Sequence, residues 1–302
     1  FEVPHELSDR RLDQAVAELM PEHSRSRLQW WIKGGNLTLN GKQCKPRDKV
    51  MMGDRIELDA EPEVQVEWQA QSIELDVVYE DEHLLVINKP AGLVVHPAAG
   101  HADGTLLNGL LHLDDRLSSL PRAGIVHRLD RDTTGLMVVA RSVEAHTGLV
   151  AQLQDKSLYR EYQAIAMGVM TGGGTVDAPM GRHPVDRKRQ AVVTHGGKPA
   201  VTHYRVLDRY RAHTRVQVRL ETGRTHQIRV HSQFGGFPTP GADTYGSRKG
   251  DPRLAALGHR RLCLHARSLV FRHPQSGETI KVNAPLDEDF ETILAALRSD
   301  KR

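Results

Sequence analysis

Between residues 57 and 82 the chain carries ten Asp or Glu and not one Lys or Arg, a net charge of −10. Such a stretch repels itself and cannot enter a core, so it is expected to separate a small N-terminal region from a larger C-terminal one. Pro62 falls near its start. The boundaries this predicts are a small domain over 1–60, an acidic linker over 61–72 and a large domain over 73–302. A chain of 302 residues has room for both.

In the small region, Ser8 is placed to cap a helix with Leu12, Ala15, Val16 and Leu19 at helical spacing, closed by Pro21. A second helix is expected from Ser24, with Leu28, Trp31 and Ile32 on one face, ending at Gly34 and Gly35. Asn40-Gly41 between short apolar runs signals a hairpin, and 50–58 reads as a further strand with a Gly-Asp turn inside it. Arg25, Arg27 and Lys33 fall on the outer face of the second helix.

Strand patterns dominate the large region. LLVINK (84–89) and GLMVVA (135–140) read as buried strands, 143–154 as a helix, and REYQAIAMG (160–168) alternates. Two later runs form a hairpin around residue 211, and TIKVNAP (279–285) looks like the last long strand. A C-terminal helix carries Phe290, Ile293, Leu294 and Leu297. Helices and strands do not alternate strictly, so the expected class is α+β with a mixed, mainly antiparallel sheet, not a doubly wound fold.

The overall charge of +3 conceals a strong segregation. Residues 24–49 hold seven Lys or Arg against one acid, a net +6, and residues 182–229 hold twelve against three, a net +9. Clusters of this kind suit a polyanionic partner, although a basic window also serves as a solvated face. No apolar run approaches the ~18 residues of a membrane helix, so no membrane association is expected. The start, FEVPHELSDRRLDQ, lacks the apolar centre of a signal peptide. Cys44 and Cys263 form neither a CxxC site nor a disulfide framework, and a reducing, cytoplasmic compartment is expected. No HExxH, paired cysteines or phosphate loop is present, so neither a metal nor a nucleotide cofactor is implied.

Two polar segments could carry chemistry. In GIVHRLDRDTTGLMVVA (124–140) a polar loop leads into a buried strand, with Asp130 and Asp132 among Arg128 and Arg131. Arginine neighbours favour an ionised carboxylate, which suits a nucleophile or base; surface Asp–Arg pairs in an Asx turn have the same composition. In LETGRTHQIRVH (220–231), Arg224, His226, Gln227, Arg229 and His231 supply donors for phosphate or carboxylate, or form a basic loop that only grips backbone. Tyr162, in REYQA, is placed either to stack on a base or to fill a core.

HRLDRDTTGLMVVA, REYQA, GRTHQIRVH and LHARSLVFRHP (264–274), with INKPAGLVVHPAAG (87–100), together resemble the pseudouridine synthases of the RluA type. Residues 8–58 resemble the small S-four RNA-binding domain that such enzymes carry. The resemblance spans nearly the whole chain and implies a pseudouridine synthase fold and isomerisation of specific uridines in large-subunit (23S) ribosomal RNA, free or assembling, by a monomer without cofactor. It assigns Asp130 as the catalytic carboxylate, attacking the sugar or removing a sugar proton. It pairs Arg229 with Asp130, gives Tyr162 to base stacking or proton transfer, puts Arg128 in the space of the extruded base, and packs Ile228 against the uracil. Arg224, His226 and Gln227 would contact RNA in the large domain, and Arg25, Arg27 and Lys33 in the small one. One run departs from the family pattern: in FPTPGADTYG (237–246), Pro240 and Ala242 replace an apolar residue and an acid.

Two other classes compete. A non-catalytic RNA-binding ribosome-assembly factor needs only the basic windows, and an acid amid a phosphate-binding site gives it no advantage. A histidine-metal hydrolase needs ligand spacings that the 17 histidines do not offer.

Overall fold

A computed structural model describes residues 1–21, 25–59, 68–98, 101–241, 244–245, 251–256, 258–259 and 261–300. The side chain of Arg27, residues 61–67 of the expected linker, Ser24, and Ala242 and Asp243 of the departing run lie outside the described residues. The chain divides into two compact units, Phe1–Glu67 and Trp68–Arg302.

The first unit packs helices α1 (Leu12–Leu19) and α2 (Arg25–Gly34) on a sheet of β1 (Leu37–Leu39), β2 (Lys42–Gln43) and β3 (Ile56–Leu58), in the order β2-β1-β3. Leu28 and Ile32 are fully buried and Trp31 nearly so, as the helical spacing required. Asn40 and Gly41 both take positive φ, and Leu39 pairs with Lys42 across the expected two-residue turn. Ser8 does not cap α1. Asp9 adopts a left-handed φ of 65°, the chain turns there, and the helix starts after Arg11. The turn expected within 50–58 is present, closed by Asp54, which accepts from the Met51 N–H, and the strand is confined to β3 after it.

The second unit is built on β4 (Val77–Glu80), β5 (Leu84–Lys89), α3 (Leu106–Leu113), β6 (Thr134–Ala140), α4 (Val143–Gln154), β7 (Tyr159–Met167), β8 (Gly174–Asp177), β9 (Met180–Arg182), β10 (Gln190–Val192), β11 (Val201–Arg209), β12 (His213–Leu220), α5 (Gln227–Phe234), α6 (Pro252–Ala256), β13 (Leu264–Arg272), β14 (Thr279–Asn283) and α7 (Glu288–Ser299). Nine strands form one sheet in the order β4-β5-β6-β13-β7-β12-β11-β8, with β14 on the free half of β13. Only the β6–β13 contact is parallel among its pairings. The architecture is therefore α+β and mainly antiparallel.

Alternation divides the sheet's side chains between two cores. Leu85, Ile87, Met137, Val139, Tyr162 and Ala164 face α3 and α5, whereas Leu84, Val86, Leu136 and Val138 face α4. The four apolar residues of α7 are buried over Ile165 and Cys263. The last long strand is β13, and β14 after it is short.

The acidic stretch is only in part a connector. Gln69 and Gln71 are tied to Asn108 of α3, and Asp81 accepts the His83 and Leu84 N–H groups in the β4–β5 turn. Its negative charge serves turns and surface pairs at both ends.

Candidate active site

The loop 126–133 enters from Ile125 and leaves as β6. Lys89, at the end of β5, is 1% exposed and donates from Nζ to the carbonyls of Pro90, Leu93 and Arg131 at 2.7, 2.9 and 2.8 Å. Burial lowers its pKa to about 8, against the opposing pull of Asp132 and Asp130. His127 accepts at Nε2 from the Val138 N–H at 3.1 Å, which pins the loop to β6. Burial, with Arg160 adding to it, lowers His127 to about 3, so the ring is neutral and its proton sits on Nδ1. At Gly135, φ is 106° and an added Cβ would lie 2.2 Å from the Ala266 carbonyl oxygen. Only glycine lets β6 come this close to β13.

These anchors present Asp130 to a cleft of about 850 Å³. Its Oδ2 accepts from Arg229 Nη1 at 3.0 Å, and its Oδ1 faces His226 Nε2 at 3.8 Å, beyond hydrogen-bond reach. Asp132 instead makes a bidentate pair with Arg131 at the surface. Of the two aspartates, Asp132 sits in a surface pair and Asp130 lines the cleft.

Helix α5 supplies the opposite wall. Its N-cap, His226, holds a left-handed φ of 57°, an uncommon conformation for a non-glycine residue. From there helical spacing sorts the polar residues. Arg229, one turn on, reaches Asp130. Gln227 turns inward: Oε1 accepts from Thr222 Oγ1 and the Arg224 N–H, and Nε2 donates to the Val201 carbonyl and Thr202 Oγ1. Every donor and acceptor of its amide is used. Gln227 lines the cleft, and its amide braces the turn before α5. His231 joins the same network through Thr202 Oγ1 and the Ala178 carbonyl.

The cleft also brings together Tyr162, Ile228, Arg128 and Arg224. Tyr162 is 5% exposed on β7, and its hydroxyl makes no hydrogen bond to the described residues. Burial raises its pKa, so it stays a neutral phenol. Ile228 is nearly buried, and Arg128 is exposed at the mouth. Arg224 is exposed and donates from Nε to the Pro199 carbonyl. Arg25 and Lys33 lie exposed on α2 of the other unit, with Arg25 Nη2 at 3.4 Å from Asp13.

Sequence reasoning missed Tyr245. It is 1% exposed, its ring lies 4.9 Å beneath the Arg229 guanidinium, and its hydroxyl bonds His226 Nδ1 at 2.8 Å while accepting the Gln190 N–H at 2.9 Å. Burial lowers the pKa of His226, with Arg229 and Arg128 adding and Asp130 opposing. The neutral ring accepts the Tyr245 proton at Nδ1 and turns Nε2–H toward Asp130. Tyr245 stood within the 237–246 run, but nothing local to that run ties it to residues before 230. Lys89 was hidden likewise inside an apolar strand pattern.

Residues 83–234 match the model of a family described as RNA pseudouridylate synthase, and residues 10–56 match that of the S4 domain. The chain is 58% identical over 307 residues to the "Ribosomal large subunit pseudouridine synthase D" of Pseudomonas aeruginosa, covering 99% of this chain and 96% of that one. It is 50% identical over 305 residues to the protein of the same name from Xanthomonas campestris, covering 99% and 92%. Among solved structures it resembles "Human RNA Pseudouridylate Synthase Domain Containing 4", with a TM-score of 0.60, 29% identity, and 74% of this chain and 93% of that chain covered.

Proposed function

Because this chain belongs to the RNA pseudouridylate synthase family, we propose that it isomerises specific uridines to pseudouridine in large-subunit ribosomal RNA, with Asp130 as the catalytic carboxylate. The observation that carries the reading is the pairing of Asp130 with Arg229 inside a cleft large enough for a nucleotide.

The reaction breaks the bond from ribose C1′ to uracil N1, turns the base, and forms a bond from C1′ to C5. The C5 proton is released and N1 ends protonated. A uridine stacked in RNA cannot reach a recessed carboxylate, so the base must leave its stack. Tyr162 offers a neutral aromatic face for the flipped uracil, Ile228 an apolar contact, and Arg128, exposed beside the cleft, a side chain to fill the vacated stack. Arg229 holds Oδ2 and leaves Oδ1 free to act on the sugar, as nucleophile or as base. His226, fixed by Tyr245, is placed to steady that second oxygen once substrate draws the site together.

In the same reading the S4 unit docks the RNA through Arg25, Arg27 and Lys33, as a monomer in the cytoplasm. No helix among the described residues is long and apolar enough to cross a membrane. Mapping pseudouridine in large-subunit rRNA from cells with and without the protein tests the function. Loss of particular sites, restored by the purified protein, is the expected result. Identical maps would instead favour the assembly factor.

A further inference from the structure

Arg160 precedes Tyr162 by two residues on β7, so both side chains leave the same face of the strand and both line the cleft. It is 6% exposed. Nevertheless its side chain makes no hydrogen bond or ion pair with any described residue, and its Nε is buried without a partner. A guanidinium nearly withdrawn from water, with its Nε buried and no carboxylate partner, is unfavourable, and buried arginines ordinarily meet a carboxylate. The carboxylate nearest along the opposing turn, Glu221, already holds His203 and Lys156. Asp130 is held by Arg229.

The surroundings keep this charge in place. Gly223 lies under the guanidinium, and a Cβ there would stand 2.6 Å from Arg160 Nη1. The positive charge reaches its neighbours, since it contributes to keeping His127 neutral and opposes the rise at Tyr162. An unpaired planar fork, walled by a glycine and opening into a cleft, is built for an anion that arrives from outside.

We propose that Arg160 receives a backbone phosphate of the RNA strand whose uridine occupies the cleft. The proposal rests on the RNA reading of this site. A phosphodiester placed there would neutralise the buried charge just as the base enters beside Tyr162, so binding of the flipped nucleotide is coupled to relief of a strain in the free protein. Arg160 acts in this way as a positioning residue for the strand, not as a group touching the reacting atoms.

The test is the salt dependence of binding to an unmodified large-subunit rRNA transcript. Replacing Arg160→Met should weaken binding about tenfold and flatten the slope of log affinity against log salt by about 0.7–0.9, the value of one phosphate contact. Arg160→Lys should keep the slope. Removing an unpaired buried charge should leave the melting temperature of the free protein unchanged or higher. Arg160→Gln, which also removes the charge, should repeat the loss and serves if Arg160→Met misfolds. An unchanged slope in Arg160→Met or, failing that variant, in Arg160→Gln overturns the proposal; so does a lowered melting temperature with the slope intact. Pseudouridine formation is read separately: wild type that binds with the predicted slope but modifies nothing removes the catalytic reading and leaves the phosphate site standing.

Discussion

Arg229 Nη1 donates to Asp130 Oδ2 at 3.0 Å, closing a separation of 99 residues between α5 and the loop before β6. The pair unites the two polar segments that carry the site's motifs. Its geometry rests on a further layer, for Arg229 lies on the Tyr245 ring and Asp130 on a loop that Lys89 and His127 hold from behind.

Arg229→Met removes a charge-assisted hydrogen bond, typically ~1.5–3 kcal/mol, so the single-turnover rate should fall about tenfold to a hundredfold. RNA affinity should change far less. Tyr245→Phe keeps the ring beneath Arg229 but frees His226, and a smaller fall in rate, with no change in KM, is expected from the same assay.

Lys89→Met removes three hydrogen bonds, to the Pro90 and Leu93 carbonyls after β5 and to the Arg131 carbonyl in the loop, while leaving the cleft's lining intact. The rate should drop with binding retained. Because burial lowers Lys89 to about 8, wild-type activity should decline as pH rises through that value, with the loss of one donor to the loop. A pH–rate profile of wild type and variant checks both.

His127 is held neutral down to about 3 in the folded protein and titrates near its ordinary 6.5 when unfolded. Between those values the unfolded chain binds more protons, so this contribution to stability is complete above 6.5 and is lost as pH falls. His96 and His265, each lowered to about 4 by burial first, act in the same direction. The loss from His127 alone should reach about 2 kcal/mol by pH 5. Urea midpoints at pH 7 and pH 5 measure it, and His127→Gln should reduce the difference.

On α2, Arg25→Glu with Lys33→Glu reverses two exposed charges. Affinity for the rRNA transcript should fall and its salt slope should flatten by one to two contacts, about 0.7–0.9 each. An unchanged slope would remove this helix face from the RNA interface.

Much of the fold was legible because periodicity is local. Leu84 to Lys89 and the apolar residues of α7 declare their burial within one window, and Asn40-Gly41 declares its turn. The start of α1 was misplaced because Ser8 looks like a cap, whereas the positive φ at Asp9 is set by contacts with Val50 and Lys49 far along the chain. The site divides in the same way. Asp130, Arg229 and Tyr162 stood out through their motifs. The bracing by Gln227 was not legible because its partners, Val201 and Thr202, come from a strand that sequence does not align with it. REYQA drew attention only to Tyr162, and the lack of a side-chain partner for Arg160 among the described residues is visible only in the fold.

The most direct test of the account is Asp130→Asn. This substitution keeps size and shape while removing the charge, so the variant should fold and bind the rRNA transcript much as wild type does. Release of tritium from transcript labelled at uridine C5 should be abolished. Release at the wild-type rate by the folded variant would contradict the assignment of Asp130, and with it the chemistry built on the Asp130–Arg229 pair.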